Sequence, residues 1–79
     1  MDAIHIRTYG LCNDECAARV EMAVGNLKGV AAVVAVKSMK ITSVLFYEDT
    51  ISPRSILRAI RGAGFDARLM RHELAASAA

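Results

Sequence analysis

Ala3-Ile4-His5-Ile6-Arg7-Thr8, running on through Tyr9-Gly10-Leu11-Cys12-Asn13-Asp14-Glu15-Cys16, is the stretch on which the fold turns. Its first six residues alternate. Ile4, Ile6 and Thr8 share one face, with His5 and Arg7 on the other, and that two-residue period is a strand's. Tyr9-Gly10 breaks it. Asn13 or Asp14 then offers a short side-chain oxygen to cap a helix, because the first N–H groups of a helix have no partner inside it. Ala17, Val20, Val24 and Leu27 recur at helical spacing with Ala23 beside them, while Arg19, Glu21 and Asn26 fall toward water. Lys28-Gly29 is the expected stop, glycine being suited to a left-handed C-cap.

Working outward, residues 30–37 read as a second strand, apolar almost throughout, so that both of its faces are expected to be covered in part. Ser38-Met39-Lys40 is a turn, and residues 41–47 are a third strand that closes a hairpin. Ser52-Pro53 starts a second helix, with serine as cap and proline where its missing N–H does no harm. Ile56, Ala59, Ile60 and Ala63 form its apolar stripe, and Arg54, Arg58 and Arg61 project from it. Gly62 and Gly64 end it. Phe65, Ala67 and Leu69 alternate as a last short strand. The domain is drawn at residues 1–70, with 71–79 as a flexible Ala-rich tail that extends the last strand briefly or frays.

Strand–helix–strand twice over predicts an α+β, ferredoxin-like βαββαβ sandwich, a four-stranded antiparallel sheet with both helices on one face. The opposite face would carry His5, Arg7, Val34, Val36, Leu45 and Tyr47. It is apolar enough to be covered by the tail or a partner, or to stand as plain surface.

Bulk properties narrow the functions. Seventy-nine residues make one small domain with a modest core, and no room for a large enclosed active site. The longest apolar run, residues 30–36, falls far short of the roughly 20 needed to cross a bilayer, so no direct membrane insertion of this domain is expected. With no signal-like N-terminus, the expected compartment is the cytoplasm. A net charge of +2 is too mild to argue for nucleic acid. An RNA-reading sheet would also want stacked aromatics where this one offers Tyr47.

Chemistry concentrates in the 2 cysteines. Cys16 falls in the first helical turn, where unpaired N–H groups and the helix dipole favour a thiolate. Thiolates are soft ligands for Cu(I), Zn(II), Cd(II) or Hg(II). The four-residue separation lets both sulfurs converge on one ion. The same spacing also fits two inert buried residues or a reversible disulfide. Asp14 and Glu15, between the sulfurs, would suit a harder ion as accessory ligands, or else simply complement the helix N-terminus. His5 and His72 read as surface residues, and the three arginines of the second helix as a solvated face.

The run Gly10-Leu11-Cys12-Asn13-Asp14-Glu15-Cys16, with Val20, Ala23, Val24, Leu27, Gly29 and Val30 at fixed offsets from Cys16, resembles the heavy-metal-associated domain. That family includes small copper chaperones and the N-terminal domains of heavy-metal P-type ATPases. Ala59-Ile60 and Gly64-Phe65 look like two further positions of its pattern, and the likeness covers about residues 4–69. The departure is at the site. The family spaces its cysteines Cys-x-x-Cys, and this chain has Asn13 where the first should stand, the cysteine having moved back to Cys12. Leu11 takes the place of the family's buried methionine. The resemblance implies metal binding by Cys12 and Cys16, with copper(I) first and zinc or cadmium next. Phe65 would shield the loop. It implies a non-enzymatic metal carrier, and as partner a metal-transporting P-type ATPase or a metallochaperone, with a metal-bridged homodimer as a further form. The competing expectations are a thiol–disulfide redox protein and a degenerate member kept as a regulatory interaction module.

Overall fold

The computed structural model describes residues 1–74. Its elements are β1 (Asp2–Tyr9), α1 (Asp14–Gly25), β2 (Val30–Val36), β3 (Ile41–Phe46), α2 (Pro53–Gly62) and β4 (Asp66–Leu74). The strands form one sheet in the order β2-β3-β1-β4, with every neighbouring pair antiparallel. This is the expected ferredoxin-like sandwich.

The alternation in β1 sets the layers. Ile4, Ile6 and Thr8 are buried and face the helices. In register with them on β3 stand Val44 opposite Ile4 and Thr42 opposite Ile6. Val20 and Val24 of α1, Ile56 and Ile60 of α2, and Phe46 close the core. The two buried threonines satisfy each other: their hydroxyls meet at 2.8 Å, and the Thr8 hydroxyl also reaches the Ile6 carbonyl at 3.3 Å. A buried hydroxyl left unpaired would cost about 1–3 kcal/mol.

Three local expectations are corrected, and an open alternative at the last strand is decided. The first helix ends at Gly25 rather than at Lys28-Gly29. Gly25 is a weak helix former and Asn26 caps the end. Gly29 instead makes a separate left-handed turn at φ +99°, and a side chain there would meet Thr50 Cγ2 at 2.8 Å. The second strand is not covered on both faces. It is an edge strand, packed toward α1 and open on the other side, and Val34 is 54% exposed. The last strand extends past Leu69 to Leu74 along β1, the first of the two outcomes expected for the start of the tail. A bulge opposite His5/Ile6 changes its register, which ends the simple alternation and leaves the choice open in the sequence. The remainder of the expected tail, 75–79, lies outside the described residues. Finally, His72 is part of β4 rather than a tail residue. Its Nε2 lies 2.8 Å from the carboxylate of Asp2, which is 3% exposed, and its ring packs on Phe46 at 5.7 Å.

Each edge of the sheet carries a helix side chain. At β2, the Ala35 N–H donates to the Glu21 carboxylate of α1 at 2.9 Å. At β4, the Arg61 guanidinium of α2 donates to the Ala67 carbonyl at 2.8 Å. Glu21 and Arg61 were both expected simply to face water.

Candidate metal centre

The loop from β1 to α1 is shaped by Gly10 and sealed by its neighbours. Gly10 adopts φ +98°, a left-handed conformation that glycine reaches without strain. A side chain at this position would lie 3.4 Å from the Phe65 ring, so the glycine also lets that ring come up beneath the loop. Leu11 is buried and anchors the loop from within, as expected of an apolar residue standing in for methionine. Cys12 then emerges into solvent.

Asn13 is the N-cap of α1. Its side-chain oxygen accepts the backbone N–H of Cys16 at 2.9 Å, which places Cys16 in the third helical position. The chain thus turns so that Cys12, ahead of the cap, and Cys16, one turn beyond it, aim at one point. Their sulfurs are 3.3 Å apart and both are free thiols. The four-residue spacing therefore brings the pair together, with Cys12 in the loop and Cys16 in the helix.

The two sulfurs are not equivalent. Cys16 is held below the ordinary thiol range. The chief cause is the hydrogen bond it takes from Cys12, helped by the backbone N–H groups of Cys12 and Asn13 and by the charge of Arg19, and opposed by burial. Cys12 is pushed up, first because it is the donor in that bond, then by repulsion from the Cys16 thiolate and by partial burial. The first proton to leave the pair leaves from the Cys16 side, and the remaining S–H steadies the charge left behind.

Arg19 is the residue that sequence reasoning set aside as solvent-facing. It stands one turn along α1 from Cys16. Its guanidinium donates to the Ala63 carbonyl at 3.2 Å and lies 5.6 Å from the centre of the Phe65 ring. One side chain therefore ties α1, the end of α2 and the ring under the cysteine loop. The signal was present in the three-residue offset from Cys16, which puts both residues on one helix face.

Phe65 is buried and lies where the resemblance implied, against the loop. Of the two carboxylates between the sulfurs, Asp14 is engaged elsewhere. Asp14 is exposed and reaches Lys37 at 2.9 Å. Among the described residues no group of three or more His, Cys, Asp or Glu side chains is arranged to hold an ion. The donor set brought together is the two sulfurs. His5 and His72 lie elsewhere, His5 near Ser43 Oγ at 2.8 Å and His72 on Asp2.

Neither a family model nor a curated protein matches the chain. Solved structures do. The copper-binding domain of HMA7, a P-type ATPase, superposes with a TM-score of 0.91 at 26% identity, over 94% of this chain and 100% of that one. The CopZ metallochaperone gives 0.81 at 21% identity, over 84% and 98%. The N-terminal domain of a potential copper-translocating P-type ATPase from Bacillus subtilis, solved with Cu(I) bound, gives 0.85 at 18% identity, over 91% and 90%.

Proposed function

The chain carries the heavy-metal-associated fold, and on that premise we propose that Cys12 and Cys16 bind a soft metal ion, copper(I) foremost, and pass it on. The observation that carries this reading is the pair of free sulfurs 3.3 Å apart at a capped helix start. An exposed, two-sulfur site leaves an ion under-coordinated. A second pair of thiols can then enter before the first pair leaves, which keeps exchange fast while binding stays tight. Cys12, in the exposed loop, is the sulfur free to swing and widen the bite.

With Asp14 turned to Lys37 and no third His, Cys, Asp or Glu side chain grouped with the sulfurs among the described residues, the donor set brought together is the two sulfurs. That set suits copper(I) better than zinc, and leaves cadmium as a soft alternative. The partner is the holder of the receiving thiols, a metal-transporting P-type ATPase or a metallochaperone, and the HMA7 and CopZ likenesses support both. No helix among the described residues is long and apolar enough to cross a membrane. The compartment we propose is the reducing cytoplasm, and the domain's role is carriage without bond-breaking chemistry.

Anaerobic titration of the reduced protein with Cu(I) and with Zn(II), each against a competing chelator, tests this. Copper is expected to bind more tightly than about 1 µM and more tightly than zinc. It is expected to be lost in Cys12→Ser and in Cys16→Ser. One ion per chain marks a monomeric carrier, and one per two chains a metal-bridged homodimer. Binding that survives both substitutions, or is absent from the unaltered protein, overturns the proposal. The short sulfur–sulfur distance also favours a thiol–disulfide reading. A reduced protein that exchanges with a disulfide substrate no faster than free glutathione excludes it.

A further inference from the structure

The helix-free face of the sheet divides into two territories. Over β2, β3 and the first half of β1 it is aliphatic and concave: Ala3, His5, Ala32, Val34, Ser43 and Leu45 line a half-open hollow of about 180 Å³. Val34 and Leu45 remain 54% and 43% exposed at its rim. Over β1 and β4 the same face is basic. Arg7 is registered directly opposite Arg68, and His5 opposite Arg71. Like charges facing each other across strands are destabilising. Among the described residues neither Arg7 nor Arg68 has an ion-pair or hydrogen-bond partner. Of the two acids on β4, Glu73 is registered at the far end of the face, opposite Ala3, and Asp66, nearer the arginine pair, is turned onto the Ala67 N–H at 3.0 Å. A small domain thus keeps an uncompensated arginine pair beside an open apolar hollow.

We propose that this face docks an acidic, extended segment of a partner protein, with one apolar side chain in the hollow and neighbouring carboxylates on Arg7 and Arg68. Spacing supports the match. His5, in the hollow, and Arg7 are two residues apart on β1, roughly 7 Å, which is also the spacing of alternate side chains on an extended peptide. The segment lies across the face rather than adding a fifth strand, because Glu21 and Arg61 already occupy backbone groups on the two edges. A single-stranded nucleic acid would seek aromatic platforms, whereas this hollow is walled by aliphatic side chains and His5. The flat surface of an anionic bilayer does not fill a hollow. Docking here is independent of the cysteines, which lie beyond the end of β1, Cys12 on the loop and Cys16 in the first turn of α1.

The test is amide chemical-shift mapping of the reduced, metal-free chain. The probes are the acetylated, amidated peptide Glu-Asp-Leu-Asp-Glu, a matched lysine–leucine peptide, an oligothymidine, and phosphatidylserine vesicles. The acidic peptide is expected to shift the amides of Ala3, His5, Arg7, Ala32, Ser43 and Leu45. Its affinity should weaken as salt rises and be unchanged in Cys16→Ser. Arg7→Glu sets opposite charges across β1 and β4. It is expected to raise the urea midpoint while weakening the peptide at least 10-fold, a combination that mere loss of folding cannot produce. Arg68→Gln should weaken the peptide with native spectral dispersion retained. The proposal is overturned by silence of the face at millimolar peptide, by equal response to the lysine peptide, by tighter binding of oligothymidine or vesicles, or by unchanged affinity in both variants.

Discussion

The molecule enters a helix from a strand twice, and the two junctions share a frame but not a chemistry. Before α1, Asn13 caps and receives the N–H of Cys16. Before α2, Ser52 caps and receives the N–H of Ser55 at 3.4 Å. The third helical position is cysteine in one and serine in the other, and in both its side chain meets a partner from the cap side. Cys12 meets Cys16 at 3.3 Å, and the Ser52 hydroxyl meets that of Ser55 at 3.2 Å. The first junction rises from Gly10 into solvent. The second is pressed from below by Gly29 and set by Pro53. The difference teaches that a capped helix start is a general device for ordering a turn. It becomes a metal site only when sulfur occupies both approaches and the loop before it is left open.

The sharpest way to break the comparison is to remove a sulfur. Cys12→Ser or Cys16→Ser should lower copper(I) affinity by more than about 100-fold in chelator competition, beyond the range seen for groups that merely support a ligand. Ser55→Ala should leave that affinity unchanged. Next in size is Gly29→Ala. A left-handed φ strains any side chain, and this one would meet Thr50 and Ile51 at 2.8–2.9 Å. A loss of about 2–4 kcal/mol in urea unfolding is expected, with copper affinity of the folded fraction intact. A smaller effect compares the caps directly. Asn13→Ala and Ser52→Ala should each remove about 1 kcal/mol. Only the first should also move the thiol titration, followed by thiolate absorbance, upward at Cys16. If Ser52→Ala moves it too, the junctions are not independent.

The pH dependence separates the two sulfurs. Cys16 lies below its free-thiol value, so its share of folded-state stability is present at alkaline pH and fades as pH falls through its titration. Cys12, pushed up, acts in the opposite sense. A soft ion bound by both sulfurs, as proposed, must displace their protons, so affinity should fall as pH falls through this range. Iodoacetamide near neutrality should mark Cys16 before Cys12, as peptide mapping would show. Cys12→Ala should slow that reaction by removing the S–H that steadies the thiolate. Equal labelling of both sites would contradict the asymmetry.

Most of the fold was legible. The alternation of Ile4, Ile6 and Thr8, the helical spacing of Val20 and Val24, and Ser52-Pro53 each have one physical reading. What escaped had local reasons. Gly29 looked like a helix stop because its left-handed turn and a C-cap place the same demand on the backbone. The continuation of β4 was open as one of two alternatives and could not be decided from alternation, since the extra residue of the bulge reverses which side chains face inward. Arg19, Glu21 and Arg61 were assigned to water because periodicity tells which face a residue leaves from, not how far a long side chain reaches. At the candidate site, the convergence of the two cysteines and the cap were readable. The pairing of Asp14 with Lys37 was not, as it joins a helix start to a distant hairpin turn.

The contacts of Glu21 on β2 and Arg61 on β4 have a bearing on how the molecule fails. An open four-strand sheet invites other chains to zip onto its rims, and here those rims are guarded from the helical layer. Partial melting of either helix would withdraw its guard and leave a sticky border while the strands still hold together. Turbidity in heated samples should therefore track loss of helical dichroism rather than loss of the strand signal, and the variants Glu21→Ala and Arg61→Ala should cloud at lower temperature.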